Sequence, residues 1–522
     1  RGGPRRDARG RRRLRTRSYE SPAAVATIGS AHQLRAGRMA AWFSGALLWL
    51  TVACLALEAW ERYRMPRVEQ AARAYGDKRM AEGYARNLAV LQATPAPPPP
   101  DFAPKELPAR GEFAGRDEQG RMRLAAERSE TIFLCNDRGI VQAVYPDGHS
   151  ASVEEFASRI KTGAPIQDSF PETERQDAAN AFLAAVSGKN RQTRDYPLPR
   201  ADGSLNVFEF TFVPVGGENN AVAVFVRDSI WDVLWKKFRP HVYRDDPYIF
   251  WTNAQGFRGD EIALPKPAGI YRIVCIGGST TAEGPRNDLT YPAIMEREVR
   301  KRLGTDRIEV VNAGIFALNS FGETERFDDY LNLQPDLIVH YNLVNDLNDL
   351  KDWIIPKSAA AEPLKTLKWI GRKSSFLRNR FNRLLMLSEP EMEARLREGI
   401  IANLRTMASR VQAAGVQMAV CSFACPAAEI MSQTEKDFFN WRMNAGFSGA
   451  IADIESYAWA VEIYNRLVRD LCREQGLIYI PVAERLRGGI DAYSDQCHMF
   501  LDAMQRKAEI IAEVVTAHIR IE

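Results

Sequence analysis

Ser279 stands in CIGGSTTAEG, residues 275–284, directly after the apolar run YRIV. A chain that carries buried-looking residues straight into two glycines, a serine and two threonines ends a core strand abruptly and leaves the serine at the carboxyl edge of a sheet. Open α/β folds place their chemistry at that edge. An ordinary strand-to-helix turn is the plain alternative, and a phosphate cradle is weaker because no Gly-Lys-Ser/Thr follows. A serine nucleophile needs a neutral histidine to take its proton, and that histidine needs a carboxylate to fix its tautomer. SDQCH, residues 494–498, offers both: Asp495 and His498 lie three apart in one short stretch. The oxyanion formed on attack needs hydrogen-bond donors. The backbone N–H groups of Ser279 and Gly314 and the side-chain amide of Asn345, in the pair Asn345-Asp346, are the candidates. Taken singly, each piece has a bland reading, since Asn-Asp caps helices, Asp-Xaa-Xaa-His begins one and Gly-Gly turns. The joint order of the four pieces is what favours nucleophilic acyl chemistry.

The elements around them alternate in type. YRIVCI is followed by the helical PAIMEREVRKRL, the strand-like RIEVVNAG, the helical ETERFDDYLNL and the strand-like DLIVHY. After a long helical region to about Ala414 come VQMAVCSF, YAWAVEIYNRLVRDLCREQG, LIYIPV and a last helix, AMQRKAEIIAEVVTAHI. Strand-helix alternation predicts a parallel sheet wrapped by helices, and runs such as LIVHY suit strands buried on both faces.

On these four blocks the chain resembles the SGNH, or GDSL-type, hydrolase family over residues 250–520. The resemblance implies a three-layer α/β/α fold, Ser279 as nucleophile, His498 as general base and acid, Asp495 as its orienting carboxylate, and Ser279, Gly314 and Asn345 as the oxyanion hole. NAQGFRG at 253–259 is similar to a lead-in found in bacterial membrane-anchored members. Two positions depart from the family pattern: Gly278 replaces the Asp of Gly-Asp-Ser, and Leu343 replaces the Gly of Gly-Xaa-Asn-Asp, where it is expected to crowd the approach to Asn345. Neither removes a member of the triad.

Residues 127–228 read as two strands, short helices and three closing strands, an order that resembles a PAS domain, a small α+β sensor fold. Its carriers are Asn-Asp-Arg-Gly at 136–139, GAPIQDSFP at 163–171, Asp202-Gly203 and the closing Phe-Val-Arg-Asp at 225–228. The resemblance allows a bound small ligand, haem or flavin, or a packing and dimerising role. His149 is the only histidine of this unit and sits beside Asp-Gly in a loop, so no cofactor follows from these residues.

Ahead of this unit, Ala40–Leu57 holds no charged residue and is long enough to cross a bilayer core, with Trp42 and Trp60 near its two ends. An uncleaved single-pass anchor is the expectation, against a cleaved signal peptide, because no small-residue cleavage site is evident. Arginines flank both ends, so charge alone argues either orientation; the hydrolase resemblance favours a catalytic part outside the cytoplasm, in the periplasm. Residues 58–108 read as a juxtamembrane helix, with Pro66 inside it, and a proline-rich linker. The arginine-rich residues 1–38 read as a disordered basic segment or as upstream-translated sequence, with starts near Leu34 or at Met39 both open. No nucleic-acid reader motif accompanies that charge. Seven scattered cysteines make neither a disulfide scaffold nor a zinc knuckle, so no metal is expected. Leu347–Leu387, with Trp353, Trp369 and Phe376 among basic residues, is either a lid or membrane-surface patch or ordinary surface packing.

The functional expectation is a membrane-anchored serine esterase that hydrolyses acyl esters, acetyl above all, on a small-molecule or glycan substrate. One alternative is an O-acetyltransferase with the same triad. The other is a PAS-type sensor or scaffold, dimeric through that unit, whose hydrolase part is regulated or inert.

Overall fold

The computed structural model describes residues 22–101, 113–116, 122–124, 131–145, 151–188, 191–200, 202–215, 221–232, 237–244, 249–349, 371, 374–446 and 453–520, with side chains described in the first of these segments from residue 48 onward. His149, and residues 350–370 and 372–373 of the segment Leu347–Leu387 read as a lid, a membrane-surface patch or surface packing, lie outside the described residues.

Helix α1, Pro22–Ala93, runs through Pro66 without a break. It contains the expected span Ala40–Leu57, of which residues 40–47 have undescribed side chains. Among the described residues no helix is long and apolar enough to cross a membrane.

A first sheet is built from β1 (Thr131–Cys135), β2 (Val141–Tyr145), β3 (Gln192–Pro199), β4 (Leu205–Val215) and β5 (Ala221–Asp228). Its spatial order is β2-β1-β5-β4-β3, antiparallel throughout. Helices α2 (Ala151–Ala157) and α3 (Glu172–Gly188) pack onto it. Alternation along β4, with Phe208, Phe210 and Phe212 buried, sends a row of aromatic rings to one face against Phe156, Phe170 and Phe182.

The second sheet consists of β6 (Tyr271–Gly277), β7 (Ile308–Gly314), β8 (Leu337–Tyr341), β9 (Gln417–Cys421) and β10 (Ile478–Ile480). Its order is β7-β6-β8-β9-β10, and every pair is parallel. The expected α/β architecture is therefore present. Residues Ile273–Ile276 and Leu337–Tyr341 are fully enclosed, as strands covered on both faces must be. Strand order reverses at β6, which lies between β7 and β8 and so opens a crevice at its carboxyl end. All seven cysteines are free thiols.

Around this sheet, α4 (Ser279–Ala282) follows β6, α5 (Tyr291–Leu303) returns toward β7, and α6 (Gln433–Gly446), α7 (Ile454–Gln475) and α8 (Leu501–Thr516) complete the frame used below. Helix α1 docks on this domain through α6 and α8. The contact is close at two glycines seven residues apart: a Cβ on Gly76 would lie 1.9 Å from Phe438, and one on Gly83 would lie 2.3 Å from Phe500. Arg79 pairs with Asp491, Arg86 donates to the Asp491 carbonyl at 2.7 Å, and the Arg73 guanidinium lies 4.7 Å from the Trp441 ring centre.

This docking makes a prediction of definite sign. Glycine in a helix interior costs about 1 kcal/mol relative to alanine, so an undocked α1 would be stabilised by Gly83→Ala. Docked against Phe500 it is overpacked, and the same change is expected to destabilise the chain by about 1–3 kcal/mol in denaturant unfolding. A measured stabilisation would mean that α1 does not rest on α8.

Candidate active site

Strand β6 delivers Ser279 through a pair of glycines that have no room for side chains. A Cβ on Gly277 would stand 2.2 Å from Thr281 Oγ1 and 2.4 Å from the Tyr341 carbonyl oxygen. On Gly278 it would stand 2.6 Å from Asn345 Nδ2 and 3.0 Å from both Asn342 Oδ1 and the Leu318 carbonyl oxygen. The carboxylate missing at 278 therefore belongs to a tightened crossing in which two asparagines press onto the nucleophile turn. Gly278 caps α4, Ser279 is its first residue, and Thr281 Oγ1 ties the turn to the Tyr341 carbonyl at 2.9 Å.

From the far end of the chain, 494–499 folds back beside this turn. Asp495 Oδ1 accepts from the backbone N–H groups of Cys497 (2.9 Å) and His498 (2.8 Å), which leaves Oδ2 to face the ring. His498 Nδ1 lies 2.7 Å from Asp495 Oδ2, and His498 Nε2 lies 2.8 Å from Ser279 Oγ. The structure thus joins Ser279, His498 and Asp495 in one chain of hydrogen bonds. Its polarity follows from the chemistry: with Asp495 ionised, Nδ1 donates and Nε2 is free to accept the serine proton.

The charges agree with that polarity. Burial works against ionised Asp495, but its bonds to the His498 ring and to two backbone N–H groups outweigh it, and the carboxyl falls to about 2. Burial likewise works against a charged His498, yet the net direction is well above 6.5. The physical cause is Asp495, because the neighbouring Cys497 thiol is itself pushed up to about 12 by burial and stays neutral. Asp495, Cys497 and His498 also form the described group whose spacing would admit a metal ion. A protonated thiol and a carboxylate already spanned by the histidine are a poor donor set for one.

Gly314, expected in the oxyanion hole, turns the other way. In a parallel strand successive N–H groups point to alternate sides. That of Ile315 donates to Gly277 across the sheet at 3.0 Å, so that of Gly314 points to the outer edge of β7, away from β6, where Asn312 Oδ1 accepts it at 3.1 Å. The glycine is needed for space instead, since a Cβ there would lie 2.5 Å from the Ala282 nitrogen. Beyond it the turn 315–318 places Ala317 in a left-handed conformation, φ 60°, and exposes it. Asn345 Nδ2 donates to the Leu318 carbonyl at 2.8 Å with one of its two N–H groups, which leaves the second for another acceptor. Leu343 does not crowd this approach: it is wholly enclosed in the core beneath.

Two buried cations, not singled out from the sequence, hold the nucleophile turn. Lys507 of α8 is completely enclosed and donates to the Thr280 carbonyl (2.9 Å) and Glu283 Oε1 (2.8 Å), with its ammonium 4.6 Å from the ring centres of Tyr291 and Tyr341. Arg258, from the NAQGFRG stretch, donates to the Ala282 carbonyl (2.5 Å), the Gly284 carbonyl (2.9 Å) and Asn287 Oδ1 (2.8 Å). Asn253 Oδ1 shapes that stretch by accepting from the N–H groups of Gln255 and Phe257. A lysine in a helical apolar pattern and an arginine in a turn carry no sequence signal for such a role. Ser279, Asp495 and His498 open into a cavity of about 660 Å³.

Residues 275–500 match the GDSL-like Lipase/Acylhydrolase family. No curated protein matches the chain. Similar solved structures include an acetyl xylan esterase, AlAXEase, with 14% identity over 48% of this chain and 100% of that one and a TM-score of 0.27. A GDSL-like lipase from Bacteroides thetaiotaomicron VPI-5482 has 15% identity over 48% and 92%, TM-score 0.27. A lipase/acylhydrolase from Enterococcus faecalis has 11% identity over 48% and 99%, TM-score 0.29. With its parallel sheet and the matched stretch that runs from the end of β6 to the start of α8, the C-terminal part of the chain is a GDSL/SGNH-type hydrolase domain, and the protein is an enzyme of the acylhydrolase class.

Proposed function

We propose that the chain is a membrane-tethered serine esterase that works through an acyl-enzyme. The observation that carries this reading is the unbroken run from Asp495 through His498 to Ser279 at a cavity. Ser279 Oγ attacks the ester carbonyl carbon while its proton passes to His498 Nε2. The bond to the alcohol oxygen then breaks, and His498 returns the proton to the departing alcohol. Water, deprotonated by the same nitrogen, releases the acid and frees the serine. The oxyanion is held by the Ser279 N–H, the second N–H of the Asn345 amide and, in place of Gly314, the N–H of Ala317, whose turn adjoins the cavity-lining Phe316.

The tether is supported by the uncharged run Ala40–Leu57 and by the exposed apolar side chains of its described part, Leu48, Trp49, Leu50 and Leu55 among them. Together with the hydrolase resemblance this favours an extracytoplasmic, periplasmic catalytic part, with acetylated glycans as the substrate class the resemblance suggests. The sheet order β2-β1-β5-β4-β3 supports the reading of 127–228 as a PAS-like unit that regulates or dimerises the enzyme.

Ser279→Ala is expected to abolish release of p-nitrophenol from p-nitrophenyl esters; turnover near wild type would remove the assignment. Asn345→Ala should lower kcat by about 10²–10³-fold, the usual penalty for one lost oxyanion donor. General base action needs neutral His498, and its proton is held more tightly than in a free imidazole. Log(kcat/KM) should therefore keep rising with pH past 6.5, with unit slope below the inflection. A profile already flat by pH 6 would contradict the His498–Asp495 coupling.

A further inference from the structure

We infer that helix α1, outside the stretch that matches the hydrolase family, is a wall of the catalytic cavity and takes an apolar tail of the ester. The inference rests on the esterase reading and departs from the expectation of an acetylated glycan. Tyr84, Leu88 and Leu91 recur at helical spacing on one stripe of α1, and all three line the cavity into which Ser279 opens. Tyr84 and Leu88 are each 53% exposed, so both cavity-lining side chains keep apolar surface that the described residues leave uncovered. Phe316 and Met504 add apolar lining contributed by other elements. At about 660 Å³ the cavity falls in the ~300–1,000 Å³ range that encloses a drug-sized ligand, far beyond the needs of an acetyl group.

The wall is also built into the catalytic frame. Tyr84 meets Phe500 edge to face, ring centres 5.5 Å apart, two residues after His498. Asn87 Oδ1 accepts the Leu501 N–H at 2.9 Å, so α1 satisfies an otherwise open donor at the start of α8, the helix that brings Lys507 to the nucleophile turn. An apolar chain continuous with the reacting ester is the occupant that this surface rewards, since each buried methylene favours binding by roughly fourfold. That chain belongs to the acyl group or to the alcohol, and the two sources are separable.

The test uses the full chain in detergent, with p-nitrophenyl acetate to decanoate as one series and acetates of methanol to decanol as the other. The expected result is a kcat/KM that climbs with chain length in one series, which identifies the tail as acyl or alkyl. In Leu88→Gln the ratio of long-chain to short-chain kcat/KM should fall roughly tenfold in that series. Gln is tolerated at a half-exposed helical position, and a purely structural defect would lower every ester alike and leave the ratio intact. Serine-dependent turnover with no chain-length preference, or a preference untouched by Leu88→Gln, overturns the inference and spares the esterase reading. Absence of Ser279-dependent turnover from both series overturns both.

Discussion

The structure of the hydrolase domain depends on how closely three backbones approach at the carboxyl end of β6. Gly277 and Gly278 lie against the end of β8, the asparagines that follow it and the turn after β7, at distances that exclude even a methyl group. Because parallel strands flank β6 on both sides, the chain must leave the sheet there, and it does so with the serine at the first turn of a short helix. The position of the nucleophile is thus a consequence of excluded volume. The charged partners come afterwards, from a helix and loops that the sheet holds in place.

Those partners make the turn stiff. Lys507 reaches the Thr280 carbonyl from α8, Arg258 reaches the Ala282 and Gly284 carbonyls from the preceding segment, and Thr281 reaches β8. A fully enclosed ammonium is costly to desolvate, and here it is offset by Glu283, a carbonyl and two ring faces. Removing one partner would leave a buried charge unmatched, so these groups act as one unit with the serine loop.

Much of this was legible in the sequence. Apolar runs and their alternation with helical patterns gave the parallel sheet, and the triad residues stand within hydrogen-bond reach as their types and order suggested. What stayed hidden is instructive. Gly314 drew notice as a glycine at a strand end, but the N–H direction of that residue depends on strand parity, which a one-residue uncertainty in the strand reverses. Ala317 carries the unusual backbone conformation without glycine to mark it. Leu343 looked like an obstruction because its direction, into the core, is set by the fold. The contact of α1 with the site joins residues more than 400 apart in the chain, Asn87 with Leu501, and no local pattern encodes it.

Helix α1 is unbroken from the uncharged stretch to the cavity wall. From Leu57 to Tyr84 there are 27 residues, about 40 Å at 1.5 Å per residue. With the stretch held in a bilayer as proposed, the helix is a strut that sets the standoff of the serine from the lipid surface, up to that height when upright and less when tilted. An upright enzyme of this kind would work on esters that have already left the bilayer, and a tilted one on esters still at its surface.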